Sequence, residues 1–440
     1  MRLTIFSRRQ IPPTPACALF WFLVFCTFFA AFLSVCCPGA RPAQAAAGLE
    51  TYSPAKEAGQ PAQIIWKLTG LGRLAADLLV GPNGRLHLTA GNKLVAVDGN
   101  GKQVWEAPGP AGGQPGQPVF AGNGSIFLPG RAVIQEIKLN GAAGWSFAVY
   151  ADGRGSGGAK APLLAGGPGY LLYLPLPTGL YAVDVRGHYR WSLLQWDTGD
   201  LYATRPAQDR EILACTGNSR TVFVVYGKRG DGYRLAAVDE KGNILWRYWL
   251  GDLKQCHLVM GKDERLIVVA NPAKVDRFNK GKIYAFRGAT GGDGDLDGSG
   301  SRNRNGGENA DWNEHGRPLW TFSLPYDDLS APAPAADGTL YFCAAKKVFA
   351  LATDNGLLKW ELPLLNVVSP PAVDGAGGRI YAGSSDGRLF AVSPAGRMIW
   401  ERELDGAIDR APLSGPDGYL YVATNKGTLY KIKDNSRTEE

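Results

Sequence analysis

The sequence predicts an all-β fold built from repeats. The chain of 440 residues contains 58 glycines, 29 prolines and 12 tryptophans, and 45% of its residues are hydrophobic while 20% are charged. Many tight-turn residues combined with many large anchoring side chains favour short strands over long helices, and this balance of apolar and charged residues is typical of a folded protein. Tryptophan also recurs with a period of about 40 residues, which indicates that one supersecondary unit is repeated along the chain.

Eight tryptophans define the repeat, and their spacings are 39, 40, 46, 55, 74, 40 and 40 residues. Glycine stands four residues before each of the last seven, and an apolar segment such as Leu94–Asp98 precedes the glycine. The unit is therefore a hairpin whose second strand carries the tryptophan and whose turn glycine can adopt a positive φ. The eight tryptophans are Trp66, Trp105, Trp145, Trp191, Trp246, Trp320, Trp360 and Trp400, and the seven glycines are Gly101, Gly141, Gly187, Gly242, Gly316, Gly356 and Gly396.

Two further strands complete each unit. A glycine-led apolar segment lies upstream of the hairpin, as in Gly84–Leu88, and a short proline-containing run such as Gln117–Val119 lies before that segment. Four short strands in about 40 residues are the signature of a β-propeller blade. Because one blade cannot bury both of its faces alone, we expect the eight tryptophans to fill the gaps between adjacent blades.

The two ends of the chain predict how the ring closes. After Trp400 the sequence provides three more strands, at residues 411–413, 419–423 and 428–432, but no tryptophan strand. The missing strand is the one that carries Trp66, over residues 63–68. We therefore predict an eight-bladed β-propeller of four-stranded antiparallel blades over residues 62–434, closed by the N-terminal strand joining the last blade, with residues 435–440 as a tail.

Residues 1–45 have the composition of an export signal. Three arginines precede an apolar run over residues 16–37, no acidic residue occurs before Glu50, and residues 43–45 (Ala-Gln-Ala) offer a cleavage site. The 22-residue run is also long enough to span a bilayer, so a cleaved signal peptide and an uncleaved membrane anchor both remain open. A lipoprotein signal ending at Cys36 fits less well, because the bulky Val35 precedes it. We expect an extracytoplasmic protein, in the periplasm, on the cell surface or secreted, with residues 46–61 as a linker.

Charge and cysteine content argue against several classes of site. Four of the 47 basic residues lie in the leader, so 43 basic against 40 acidic residues remain, and we expect no nucleic-acid partner. Four of the seven cysteines also lie in the leader. The other three, Cys215, Cys256 and Cys343, are far apart in sequence, so neither a disulfide framework nor a metal-binding spacing is indicated.

The pattern Ala-x-Asp-x-x-Gly-x-x-x-Trp is found at residues 96–105, 182–191 and 237–246. It resembles the repeats of the pyrroloquinoline-quinone-like (PQQ-like) propellers, and the resemblance extends from about Trp66 to Ile432. Glu136 replaces the alanine in the second unit, and the hairpin from Ala350 to Trp360 is one residue longer.

That family contains quinoprotein dehydrogenases as well as non-catalytic BamB-like propellers, which bind other proteins and carry no quinone. In the dehydrogenases the quinone lies near the propeller axis beside calcium and over a disulfide between adjacent cysteines. The only adjacent cysteines of this chain, Cys36 and Cys37, are in the leader, and the roughly 395 residues after the leader leave little beyond the blades to enclose a cofactor.

The resemblance therefore implies a monomeric, non-enzymatic propeller that binds another envelope protein. It implies no PQQ, and contact with a membrane only through the N-terminal segment if that segment is not cleaved. The alternative is a minimal PQQ-dependent dehydrogenase of alcohols or aldehydes.

The 74-residue spacing places an insertion at residues 292–315, within a blade hairpin. Carboxylates at alternate positions open this insertion and are followed by Gly298, as at the start of a calcium loop, where hard oxygens must converge on one ion. The match is partial, because Arg304 stands where a full loop would need a bidentate glutamate. The alternative is an acidic turn kept soluble by its charge. The predicted calcium ligands are Asp293, Asp295, Asp297 and Ser299, to be completed by Ser301, Glu308 or Asp311.

Other conspicuous residues are expected to have structural roles. Asp98, Asp184 and Asp239 follow strands and are predicted to cap turns. The four histidines, at positions 87, 188, 257 and 315, are scattered, so packed or surface histidines are expected rather than metal ligands.

The basic segments 228–229 and 274–282 are predicted to form a solvated edge. Trp196, Trp249 and Trp312 fall outside the repeat, and both loop packing and exposed contacts for a partner remain open for them.

Overall fold

The structure, a computed structural model, describes residues 48–51, 60–74, 76–110, 115–121, 123–130, 133–148, 164–165, 171–176, 179–193, 211–218, 220–261, 264–288, 316–375 and 378–436. In these residues the chain forms strands joined by turns and connections, arranged as eight antiparallel sheets. The predicted eight-bladed, all-β propeller is confirmed. The predicted leader lies outside the described residues.

The first two strands belong to the last sheet. Strands β1 (Leu49–Thr51) and β2 (Ala62–Leu68) come first in the chain. Blades 1 to 3 follow with four strands each: β3 (Leu79–Val80), β4 (Leu86–Ala90), β5 (Lys93–Val97) and β6 (Gln103–Pro108); β7 (Val119–Phe120), β8 (Ile126–Pro129), β9 (Val133–Ile137) and β10 (Ala143–Ala148); β11 (Leu164–Ala165), β12 (Leu171–Leu176), β13 (Gly179–Asp184) and β14 (Tyr189–Leu193).

Blades 4 to 7 have the same order. Their strands are β15 (Glu211–Gly217), β16 (Thr221–Lys228), β17 (Gly232–Asp239) and β18 (Ile244–Gly251); β19 (Leu253–Met260), β20 (Leu266–Pro272), β21 (Gly281–Phe286) and β22 (Trp320–Leu324); β23 (Ala333–Pro334), β24 (Thr339–Ala344), β25 (Lys347–Ala352) and β26 (Leu358–Pro363); β27 (Ala372–Val373), β28 (Ile380–Gly383), β29 (Arg388–Val392) and β30 (Met398–Glu403).

The ring closes in blade 8, whose sheet has the order β1-β2-β33-β32-β31 and contains β31 (Leu413–Ser414), β32 (Leu420–Ala423) and β33 (Leu429–Asp434). Strand β2 pairs with β33 from Ala62 opposite Asp434 to Leu68 opposite Leu429, so the predicted closure by the N-terminal strand is confirmed. Strand β1 lies within the span predicted as a linker. It adds a fifth strand by pairing with β2 and so covers what would otherwise be an open sheet edge.

The core lies between neighbouring blades. Strands β4 and β16 are buried at nearly every position because both faces of the middle of a blade are covered, whereas β2, the fourth strand of blade 8, alternates buried and half-buried residues. One core cluster joins Phe223 and Trp246 of blade 4 to Leu266 of blade 5. Packing between sheets rather than within one sheet therefore accounts for the buried apolar surface.

The alanine of the repeat lies between two aromatic rings. In blade 3, Ala182 of β13 lies between Tyr173 on one neighbouring strand and Trp191 on the other. The two ring centroids approach to 5.8 Å across this alanine. In blade 2, where Glu136 replaces the alanine, the corresponding rings still approach to 5.3 Å. The two rings therefore pack together both with and without a small residue between them.

Each indole also reaches the next blade. Trp105 of blade 1 donates its N–H to the carbonyl oxygen of Leu139 in blade 2 at 3.0 Å, in the turn that follows β9. The same bond recurs at lengths from 2.7 to 3.1 Å, from Trp66 to Gly99, Trp145 to Val185, Trp191 to Glu240, Trp320 to Thr353 and Trp360 to Pro394. A tryptophan therefore contributes both a buried ring and a satisfied donor to the contact between two blades.

The glycine of the hairpin turn packs on that same ring. Gly141 has φ 84° and faces Trp105 so closely that an added Cβ would lie 2.7 Å from the indole. Gly396 is placed in the same way on Trp360, at 2.7 Å. The spacing Gly-x-x-x-Trp thus combines two functions, because the glycine accepts the tryptophan of the preceding blade while the tryptophan extends toward the following blade.

Blade 8 makes this contact with side chains. Asp434, at the end of β33, accepts the indole N–H of Trp400 at 3.1 Å and the hydroxyl of Tyr381 at 2.8 Å. It also pairs with the buried Arg379 at 3.3 Å. Lys431 takes the alanine position and donates to the carbonyl oxygen of Gly99 at 3.0 Å. Charged side chains therefore bind blade 8 to both of its neighbours, blade 7 through Asp434 and blade 1 through Lys431.

We expect Gly141→Ala to destabilise the propeller more than Gly418→Ala. Both glycines have positive φ, 84° and 78°, but nothing lies within 4 Å of an added Cβ at Gly418. The control therefore measures backbone strain of about 1 kcal/mol, whereas G141A adds overpacking of about 1–3 kcal/mol against Trp105. Urea denaturation of both variants measures the difference, and equal losses would show that the ring does not restrict this position.

Asp434→Asn should lower the free energy of unfolding by about 3 kcal/mol or more, because it removes the carboxylate that a buried arginine faces. Glu361→Gln is the matched control. Its carboxylate pairs with Lys347 at 2.7 Å at the surface, so a loss of at most about 1 kcal/mol is expected. Thermal and urea unfolding compare the two variants. Similar small losses would mean that the buried pair does not fasten the last blade.

Candidate functional site on the loop face

The antiparallel strands place their connections on two opposite faces of the ring. The turn face carries the turns between the first and second and between the third and fourth strands of each blade. The loop face carries the connections between the second and third strands and those that lead from one blade to the next. Connections carry most binding groups in proteins with a rigid scaffold, so each predicted site is assigned to one of these faces.

The predicted calcium ligands Asp293, Asp295, Asp297 and Ser299 lie outside the described residues, and so does the whole insertion 292–315. The chain leaves β21 and enters β22 on the turn face of blade 5. Within the described part of the chain, no cluster of three His, Cys, Asp or Glu side chains could hold a metal ion. The calcium site stays a prediction.

The indole contact between blades 4 and 5 differs from the others. Trp246 is 4% exposed, and its indole nitrogen has no hydrogen-bond partner among the described residues. The position equivalent to the regular acceptor is Gly288, the last described residue before the insertion. The Trp246 ring stacks on Phe286, with centroids 5.5 Å apart and planes 24° apart. Stacking on the next blade therefore contributes to this contact.

The three aspartates predicted to cap turns do so. Asp98 accepts the backbone N–H groups of Asn100 and Lys102, both at 2.9 Å, and Asp184 and Asp239 make the equivalent pairs of bonds in their turns. These carboxylates are therefore used within the hairpins of the turn face and have structural roles.

The three cysteines of the propeller are free and buried. Burial raises the pKa of the Cys215 thiol to about 12 and shifts the pKa values of Cys256 and Cys343 in the same direction. A thiol that stays protonated in the core is a poor nucleophile and a poor metal ligand. These cysteines therefore act as small apolar side chains.

His87 occupies the position that six of the other seven blades fill with phenylalanine or tyrosine. It is fully buried between Trp105 and Phe120, with centroid distances of 5.5 and 5.1 Å. Burial lowers the pKa of its imidazole to about 4. Aligning the second strands of the repeats would have revealed this position, because His87 aligns with Phe127 and Tyr173.

Two exposed aliphatic side chains mark the connection between blades 6 and 7 on the loop face. Leu365 and Val368 are 55% and 46% exposed. The backbone around them is held by bonds from Leu364 to Lys346, from Val368 to Gly383 and from Ser385 to Asn366, each 3.0 Å long. Apolar side chains are thus displayed to solvent by an ordered loop.

A cavity of about 260 Å³ lies on the same face, where blade 8 meets the connections on either side of it. The backbone N–H of Ile408 donates to Ser384 at 2.9 Å, which ties the connection before blade 8 to blade 7. The lining is mixed in charge and polarity and consists of Arg73, Leu74, Asp409, Arg410, Ala423, Thr424 and Asn425.

Trp249, which falls outside the repeat, is 43% exposed near the loop-face end of β18. Arg234 on the neighbouring strand lies over its ring, 4.8 Å from the centroid. Trp196 and Trp312 lie outside the described residues. None of the described segments forms an apolar helix of membrane-spanning length.

Comparisons with known proteins agree with this architecture. A family model described as outer membrane protein assembly factor BamB matches residues 303–439. The crystal structure of BamB from Moraxella catarrhalis is similar over 85% of this chain and 98% of its own, with a TM-score of 0.57 at 16% identity. This chain resembles the BamB-like members of the PQQ-like propellers.

Two other solved propellers show how widely this fold is shared. The Dos1 propeller is similar over 83% of this chain and 93% of its own (TM-score 0.58, 12% identity), and the computationally designed Ika8 protein over 83% and 97% (TM-score 0.57, 12% identity). No curated protein sequence matches the chain. At such identities the likeness to solved structures shows the fold alone.

We expect His87→Phe to make this propeller less sensitive to acid. The unfolded chain binds the proton near the ordinary pKa of 6.5, so the stability contributed by neutral His87 is fully present above that pH and is lost as the pH falls toward 4. Replacing the imidazole should reduce the loss of unfolding free energy between pH 7 and pH 4.5 by about 2–3 kcal/mol.

The reciprocal variant is Phe127→His, at the equivalent buried position of blade 2. The free energy of unfolding of this variant should fall more steeply than that of the unsubstituted protein as the pH is lowered. Unfolding by urea at several pH values tests both variants, and a pH profile unchanged by H87F would contradict the expectation.

Proposed function

We propose that this protein is an exported, non-enzymatic propeller that binds another protein of the cell envelope through its loop face. The observation that carries the proposal is the pair Leu365 and Val368, two exposed aliphatic side chains on an ordered connection. Neighbouring exposed apolar side chains on a soluble domain are typical of protein interaction sites. The name of the matching family model supports an envelope location.

The order of this connection favours binding. Asn366, between the two aliphatic residues, has a positive φ of 53°, and its backbone carbonyl accepts the N–H of Ser385. Its side chain donates to Asp386 at 3.4 Å. A loop already fixed in one conformation loses little conformational entropy when a partner docks, so more of the apolar contact energy appears as affinity.

The cavity next to blade 8 supplies a polar neighbour to this apolar pair. The connection between β28 and β29 links the cavity to the apolar pair. Its Ser385 donates to the carbonyl oxygen of Asn366, and its Ser384 accepts the backbone N–H of Ile408. Arg73, Asp409 and Arg410 would thus lie beside the apolar centre as a charged rim. Protein interfaces typically combine a buried apolar centre with a polar edge that sets orientation and specificity.

The alternative function, a PQQ-dependent dehydrogenase, predicts that the protein binds a quinone. A PQQ enzyme would carry a quinone with visible absorbance, or would bind added quinone and reduce a dye in the presence of calcium and an alcohol or aldehyde. Either result with the purified protein would overturn the non-enzymatic proposal. A protein that shows neither would exclude the dehydrogenase.

The partner proposal predicts that Leu365→Asp combined with Val368→Asp lowers capture of an envelope partner by the full-length protein about tenfold or more, because two charges would enter an apolar contact. The matched control combines Leu357→Asp with Met398→Asp. These residues are 65% and 51% exposed on the turn face of the same two blades, so the control should capture the partner normally.

Quantitative affinity capture from envelope extracts, with calcium or with a chelator, measures the effect, and circular dichroism verifies the fold. Loss of capture in the control but not in the loop-face variant would place the partner site on the opposite face. An effect of the chelator would support a calcium-dependent contribution from residues 292–315.

A further inference from the structure

The connection between β20 and β21 in blade 5, residues 273–280, is here called the basic loop. Phe278 on this loop is 72% exposed, more than any other large hydrophobic side chain of the described residues. Three cations of the same loop, Lys274, Arg277 and Lys280, are also exposed, and the guanidinium of Arg277 lies 4.4 Å from the Phe278 ring centroid. One aromatic ring is thus displayed to solvent among positive charges.

Hydrogen bonds fix the conformation of the basic loop. The side chain of Asp276 accepts the backbone N–H groups of Phe278 and Asn279 at 2.7 and 2.8 Å and the amide of Asn279 at 2.8 Å. At the base of the loop, Ala273 donates to the carbonyl oxygen of Asp252 at 3.0 Å, and Gly281 donates to Tyr326 at 2.9 Å. The loop is therefore tied to the connections on both sides of blade 5.

The outward charge of the loop is positive. Three cations stand against one carboxylate, Asp276, whose oxygens already serve as acceptors within the turn. Hydrogen bonds from Asn279 and Phe278 hold the pKa of Asp276 below its usual value, so this carboxylate remains a charged acceptor there. Lys274, Arg277 and Lys280 are thus available to an anionic surface.

The chain enters the propeller on this same face. Gly48, where the described part begins, accepts hydrogen bonds from the backbone N–H and the hydroxyl of Thr69, at 3.3 and 3.1 Å, and Leu49 pairs with Leu68 at the loop-face end of β2. Residues 38–47 separate Gly48 from the apolar run at 16–37. The loop face therefore carries both the basic loop and the first described residue of the propeller.

We infer that the basic loop docks on an anionic lipid surface, with Phe278 entering the interface and Lys274, Arg277 and Lys280 contacting headgroup phosphates. Aromatic rings favour the boundary between headgroups and acyl chains, and nearby basic side chains are attracted to anionic lipids. A single exposed ring beside Arg277, on a loop with two lysines, suits this surface better than a protein interface, which is centred on apolar contacts and depleted of lysine.

This lipid contact is independent of the partner proposal, because it uses blade 5 rather than the connection between blades 6 and 7. Loss of partner capture in the L365D and V368D variant leaves lipid contact unchanged. Failure of lipid contact likewise leaves partner capture unchanged.

A photo-crosslinking benzophenone amino acid at position 278 of the full-length protein tests the inference. The control places the same group at position 357, which is similarly exposed but lies on the turn face. The protein is mixed with vesicles of phosphatidylglycerol and phosphatidylcholine or of phosphatidylcholine alone, irradiated, and analysed by mass spectrometry. Because the N-terminal segment is present in every sample, differences between the two positions report on the loop and not on the leader.

We expect lipid adducts at position 278 on the anionic vesicles, with adducts about tenfold fewer on neutral vesicles and at position 357. Combining Lys274→Glu, Arg277→Glu and Lys280→Glu in the protein labelled at 278 should remove most of the adducts from anionic vesicles. Equal labelling at 278 and 357, or labelling that ignores vesicle charge, would overturn the inference. In a parallel irradiation with envelope extracts, adducts at position 278 that form only with a protein would overturn the inference in favour of a protein contact.

Discussion

The contact between each outer-strand indole and the turn of the next blade is the interaction on which the rest of the structure depends. A blade of four short strands leaves both faces apolar and cannot remain folded alone. The indole covers part of one face, and its N–H reaches a carbonyl oxygen in the neighbouring turn, as from Trp105 to Leu139. The turn glycine then lets the two backbones approach closely enough for both contacts to form.

The repeat departs from this arrangement at a few of the contacts between blades. The indole of Trp246 has no hydrogen-bond partner among the described residues, and its ring stacks on Phe286. In blade 8, Asp434 provides the acceptor that the backbone provides in most other blades, and Lys431 stands where six of the other seven blades have alanine. The ring therefore tolerates changes at single joints, because each joint involves only two neighbouring blades.

Both faces of the ring display side chains to solvent. On the turn face, Leu357 and Met398 are exposed, while carboxylates such as Asp98 accept hydrogen bonds within the hairpins they cap. On the loop face, connections hold Leu365 and Phe278 in exposed positions, the first on an ordered apolar connection and the second among cations. Two kinds of surface, one apolar and one positively charged, are thus displayed by one rigid scaffold, and the chain enters the propeller on the same side.

The sequence by itself determined the blade count, the hairpin with its turn-capping aspartates and the closure by the strand of Trp66, because a period of about 40 residues with fixed Gly-to-Trp spacing allows few other folds. It could not show that Gly141 lies on Trp105, since these residues are 36 positions apart and meet only when consecutive blades stack. Nor could it distinguish Leu365 from the many buried leucines, or place β1 in the last blade. Exposure and closure depend on which surfaces the whole ring covers, and only the tertiary structure decides that.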